Sequence, residues 1–138
     1  MLRGVGLRRA QLVSTAIVFA AIDLLHKTFT PAEFHHARNQ FVALIMAAVI
    51  GALVALVPRI PSTAAALGAG VACGGALGNL VSLLAWSRGV PDPLVLIGAR
   101  HALAFNLADL FALTGDALLV GATVLYGLRH RERLRERI

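Results

Sequence analysis

The chain has a single cysteine and few charges. Cys73 lies in an apolar run and has no second thiol to pair with, so an internal disulfide is excluded. Charged residues make up 14% of the 138 and hydrophobic ones 58%. A soluble domain carries about 25% charged and roughly 45–50% apolar residues. A chain this short cannot hide such an excess of apolar surface from water, so a soluble globular fold is excluded and the excess must face lipid. No group of Cys and His has metal-ligand spacing. His35 and His36 are adjacent, and adjacent residues on a helix do not share a face, so they read as interfacial polar residues and no metal is expected. No Ser–His or Cys–His pattern supports a nucleophile, and His101 stands alone. No glycine loop follows a strand, so no phosphate cradle and no cofactor is expected. There is no internal repeat or low-complexity linker, and the length suits one membrane domain, 1–138.

What is present is a set of long apolar runs. A helix needs about 20 mostly apolar residues to cross the hydrocarbon core. Four runs qualify, at about 10–28, 41–57, 64–86 and 102–128. They predict an all-α bundle of four transmembrane helices with short extracytoplasmic loops. The first run is too polar at its far end, and lacks the small-residue cleavage site, for a removable signal peptide. The third is rich in Ala and Gly, which lets membrane helices pack closely.

The net charge of +6 is explained by topology, without nucleic acid. Arg3, Arg8, Arg9, Arg59 and the tail arginines 129, 131, 133, 135 and 137 fall on one side. Lys27, Arg38, Arg88 and Arg100 fall on the other. The positive-inside rule then puts both termini, including the basic tail 129–138, in the cytoplasm, where the tail can also meet anionic lipid. Two longer segments, 27–40 and 87–101, face outward. Longer loops are where function tends to sit.

Ionisable groups at membrane depth are costly, so each is a functional candidate. Asp23 and Lys27, four residues apart, share a helix face and read as a structural ion pair or interface anchor. Asp92 lies between Pro91 and Pro93, where turn chemistry explains it. Asp109 follows Phe105-Asn106-Leu107-Ala108 at the start of the fourth run, where the helix dipole favours an acid. Taken together, Asp92 and Asp109 are two acids at one level, separated by a short loop. Two carboxylates sharing a proton make a general acid/base pair. Asp116 lies two helical turns beyond Asp109. It reads as a buried packing residue or, less readily, as part of a proton pathway.

Three segments in order resemble lipoprotein signal peptidase, or signal peptidase II. Asp23-Leu24-Leu25-His26-Lys27 is similar to that family's Asp-x-x-x-Lys pattern. Gly74-Gly75-Ala76-Leu77-Gly78-Asn79-Leu80 is similar to its GGALGNL motif. Val90-Pro91-Asp92 with Phe105-Asn106-Leu107-Ala108-Asp109 is similar to its VVD and FNxAD motifs. The resemblance implies an aspartic endopeptidase of the bacterial cytoplasmic membrane, multi-pass with both ends inside. Such an enzyme removes signal peptides from diacylglyceryl-modified prolipoproteins and uses no metal or cofactor. It implies Asp92 and Asp109 as catalytic residues, Asn79 and Asn106 as polar residues framing the site, Gly75 and Gly78 at close helix contacts, and Asp23 with Lys27 as a polar pair. Its partners would be the lipidated precursor and membrane lipid.

The sequence also departs from the family's pattern. Ser82 and Leu83 stand near the places of an acid and an arginine, Pro93 stands where Phe is usual, and His35-His36-Ala37-Arg38-Asn39 occupies the region of a larger sheet-like insert. Two other functions fit the residues less well: a non-catalytic relative binding lipid or a membrane partner, and a small proton-coupled transporter built on Asp109 and Asp116.

Overall fold

The computed structural model describes residues 2–37, 40–98 and 102–131. Expectations on Arg38, Asn39, Arg100, His101 and the tail arginines 133, 135 and 137 lie outside the described residues. Four helices carry the chain: α1 (Leu2–Phe29), α2 (Gln40–Leu56), α3 (Thr63–Ala85) and α4 (Leu107–Arg129). All four are long and apolar enough to cross a membrane. The protein is a multi-pass membrane bundle.

The local reasons for these elements are visible in the sequence. Pro58 cannot continue α2, and the chain turns through a short 3-10 helix, Val57–Arg59. Ser62 then caps α3, its hydroxyl accepting from the Ala65 N–H at 3.2 Å. Asn106 caps α4 in a reciprocal capping box with Asp109.

The centre of the bundle is α3. It packs along α1 on one side and α4 on the other, and its middle is almost continuously buried. Its glycines divide between these neighbours. A Cβ on Gly70, Gly74 or Gly78 would run into α1, and one on Gly68 or Gly75 into α4. Glycine spaced by four and by seven residues thus gives α3 two faces on which backbones approach closely. By contrast, α2 has no buried residue and leans mainly on α3 and the 3-10 turn. The outer faces of the bundle are apolar: Ile17 and Leu25 on α1, Leu44 on α2, and Leu113 and Leu128 on α4 are exposed, as a lipid-facing surface requires.

Two corrections concern boundaries. Helix α1 starts at Leu2 rather than near residue 10, so Arg3, Arg8 and Arg9 belong to it. Arg8 reaches across to donate to the Pro58 carbonyl at 2.9 Å, which ties this end of α1 to the turn after α2. Helix α4 starts at Leu107 rather than near 102, because the residues before it pair as a strand. The outward segments, read as loops, carry four short strands: β1 (Phe34–His36), β2 (Val90–Asp92), β3 (Leu94–Ile97) and β4 (Ala102–Phe105). β1 pairs antiparallel with β2, placing Phe34 opposite Asp92 and His36 opposite Val90. β3 pairs with β4. The short apolar runs Leu94–Ile97 and Ala102–Phe105 merge with helix-like hydrophobicity in the sequence, which is why periodicity alone extended α4 too far.

Candidate active site

The strand end of the bundle holds a polar cluster inside an otherwise apolar protein. Its pivot is Asn106, which is fully buried. The Asn106 Nδ2 donates to Asp92 Oδ1 at 2.7 Å. Its Oδ1 accepts the Asp109 N–H and its own N–H donates to Asp109 Oδ2, both at 3.1 Å. One residue therefore touches both aspartates. It can do so because a capping asparagine at the start of α4 points its side chain back along the chain, toward the strand that carries Asp92.

From Asp109 the cluster runs inward. The Asn79 Nδ2 donates to Asp109 Oδ1 at 2.9 Å, and the Asn79 Oδ1 accepts from Lys27 Nζ at 2.8 Å. Lys27 also donates to Asp23 Oδ2 at 2.7 Å and to Ser82 Oγ at 3.2 Å. The Ser82 hydroxyl in turn donates to the Gly78 carbonyl at 2.7 Å. The other Asp23 oxygen accepts the Ala108 N–H at 2.8 Å, in the first turn of α4. Each buried charge is thus paired and hydrogen-bonded, which is the condition under which a membrane interior tolerates it.

Gly75 and Gly78 set the spacing of this arrangement. A Cβ on Gly75 would collide with the Ala108 carbonyl oxygen. One on Gly78 would lie 2.5 Å from Asp23 Oδ2. Side chains there would push α4 and the Asp23 carboxylate away from α3, and with them the partners of Asn79 and Lys27.

Asp92 is 2% exposed. Burial is the main cause that pushes its carboxyl above the ordinary 3.8, and the negative charge of Asp109 adds to the effect. The Asn106 hydrogen bond, His36 and Lys27 oppose it. The two aspartates therefore differ in setting. Asp92 is enclosed on a strand, and Asp109 is half-buried at a helix start. Asp109 and Asn79 open onto a cleft of about 240 Å³, walled by Val42 and Met46 of α2, Leu83 of α3, and His36. Since α2 buries none of its own residues, the cleft is bordered by the most loosely packed helix.

The structure brings together Asp23, Lys27, Asn79, Asp92, Asn106 and Asp109. Asn79 lines the cleft, whereas Asn106 sits behind it and holds the aspartates. Asp116 is exposed on α4, so its reading as a buried packing residue is corrected. No hydrogen bond among the described residues joins it to the cluster. Among the described residues there is also no group of three or more potential metal ligands. Two contributors were missed by sequence reasoning. Ser82, in the sequence only a departure from a family pattern, accepts from the chain's single lysine. His36 was read as an interfacial residue, yet its Nδ1 lies 2.6 Å from Asp92 Oδ2. Only the β1–β2 pairing joins them, and no spacing in the sequence announces it.

The family model described as signal peptidase (SPase) II matches residues 17–125, a stretch that contains every residue of the cluster. No curated protein matches the chain.

Proposed function

The chain belongs to the signal peptidase II family, and from that premise we propose that it is an aspartic endopeptidase that cleaves signal peptides from diacylglyceryl-modified prolipoproteins, with Asp92 and Asp109 as the reacting pair. The observation that carries this reading is Asn106, bonded to both carboxyl groups beside a cleft open to the apolar flank of the bundle.

Peptide hydrolysis needs water held between a base and an acid. The ionised carboxylate takes a proton from water. The water oxygen bonds to the scissile carbonyl carbon, and the protonated carboxyl gives its proton to the carbonyl oxygen. Collapse of the tetrahedral intermediate breaks the C–N bond, and a proton passes to the departing amine. The pair ends with one shared proton, as it began. Burial of Asp92 and its proximity to Asp109 favour such a singly protonated state. Asn79 and Asn106 supply fixed N–H donors, so the carboxylates do not reorganise during the step. Lys27 holds Asn79 from behind, donating to its Oδ1.

The cleft lies against α2, a helix that buries none of its own residues. The apolar walls Val42, Met46 and Leu83 suit a hydrophobic signal segment or an acyl chain. The transporter reading lacks support, since its second acid, Asp116, stands apart from the cluster. The test is incubation of the purified protein with a diacylglyceryl prolipoprotein, followed by mass analysis. Wild type should release the signal peptide just before the lipidated cysteine. Asp92→Asn and Asp109→Asn should each reduce cleavage by at least about 100-fold, at the low end of a lost acid or base. Cleavage by either variant at the wild-type rate would refute the pair. A wild type that never cleaves would favour the non-catalytic relative.

A further inference from the structure

The proposed peptidase mechanism gives no role to the one cluster side chain that is exposed to solvent. His36 Nδ1 lies 2.6 Å from Asp92 Oδ2, on the oxygen that Asn106 does not occupy. The two side chains differ sharply in exposure: 62% for His36 and 3% for Asp92. The contact is built by the backbone. The β1–β2 register sets His36 diagonally across from Asp92. The turn into β2 passes so close to β1 that a Cβ on Gly89 would strike the His36 carbonyl oxygen, and Gly89 has a φ of 104° that favours glycine. His36 also borders the cleft that Asp109 and Asn79 line.

We propose that His36 is a positioning residue for the dyad, holding the second oxygen of Asp92 and linking that buried carboxyl to the charge state of an imidazole in water. The proposal rests on the peptidase reading for its consequence in catalysis, but the coupling itself concerns only His36 and Asp92. When the imidazole is protonated, Asp92 receives an N–H on each oxygen, a preference for the carboxylate that opposes the burial favouring its protonated form. When it is neutral, the pair holds one proton fewer and that preference weakens.

The other charged groups acting on Asp92 are Asp109 of α4, which opposes ionisation, and Lys27 of α1, which favours it. Asp23 lies beyond Lys27, ion-paired to it. α3, the other element packed on β2, contains no charged residue. Among the described residues His36 is therefore the solvent-exposed charge in contact with Asp92.

The test measures Asp92 directly. In detergent-solubilised protein, the pH titration of the Asp92 side-chain carboxyl is followed by 13C NMR for wild type, His36→Asn and His36→Lys. Cleavage of a lipidated precursor is followed over the same pH range. The exposed position of His36 makes both variants compatible with the fold, and the same spectra check that. In His36→Asn the Asp92 titration should move to higher pH by on the order of one unit, the lower end of the effect of a lost opposite charge. The pH–rate profile should move with it. His36→Lys, which restores a cation, should return both toward wild type. A change in rate with neither the titration nor the profile displaced would reduce His36 to a structural role and overturn the proposal. A displaced titration in a protein that cleaves nothing at any pH would overturn the peptidase reading and leave the His36–Asp92 coupling standing.

Discussion

Two buried ionisable residues of the cluster stand in opposite relation to their partners. Asp92 is held where its charged form is disfavoured, mainly by burial. Its folded pKa lies above the ordinary 3.8, so the folded state binds the proton more readily than the unfolded chain does. Its contribution to stability is complete below the ordinary value and is lost as pH rises through the folded one. Asp92→Asn has no such loss. Its melting temperature relative to wild type should therefore rise as pH is raised from about 4 to 8. A gap that closes or reverses with rising pH would contradict the assignment of burial as the dominant cause. Lys27 is the opposite case, a buried cation fully used by Asp23, Asn79 and Ser82. Lys27→Ala strands a buried carboxylate and should cost about 3–5 kcal/mol. Chemical denaturation in mixed micelles would measure it, and a loss below about 1 kcal/mol would mean that water or relaxation replaces the lysine.

At the scale of elements, the glycines of α3 decide how near the other helices can come. A methyl group on Gly75 meets the backbone of α4, which cannot turn aside as a flexible side chain would. Gly121 of α4 has open space around the same position. Gly75→Ala should destabilise the bundle by about 1–3 kcal/mol through overpacking and disturb the Asn79–Asp109 contact. Gly121→Ala should be neutral or slightly stabilising, since alanine is the better helix former. Thermal melts of both variants beside wild type make the comparison, and equal losses would sink the packing argument. The same helix explains what could be read from the sequence. The apolar runs announce four spans, and the small residues of the third announce close contacts. The Asn at the start of α4 and the acid three residues later are a recognisable cap. The strands were not legible, because three or four apolar residues beside a helix carry no period of their own. For the same reason His36 could not be tied to Asp92. Lys27 was legible as the partner of Asp23, but not as the support of Asn79, since that contact crosses from α1 to α3.

At the scale of the whole molecule, the two ends of the bundle differ in how their charges are used. At one end, Arg3, Arg9, Arg59, Arg129 and Arg131 are exposed, and Arg8 clasps the Pro58 carbonyl. At the strand end, Lys27 is buried and cancelled by Asp23, which leaves Arg88 as the exposed cation among the described residues. Among the described residues, the cations that water or lipid headgroups can meet are thus mostly at the arginine end. The positive-inside rule responds to such charges near the ends of the spans. The expected topology has the arginine end in the cytoplasm and the aspartate pair near the outer surface. That placement matters for the chemistry. For the proposed reaction, a dyad at the outer surface would meet a precursor whose cleavage site lies on that side of the bilayer. Reporters fused after Ile138 or inserted near Pro61 should read as cytoplasmic, and one inserted near Glu33 as external. Neutralising Arg3, Arg8 and Arg9 together should weaken that preference, whereas Lys27→Gln should leave the orientation as it is, because a paired buried charge does not steer insertion. An external C-terminus in the wild type would put the cluster on the cytoplasmic side, out of reach of a translocated substrate, and both the charge argument and the proposed reaction would fall together.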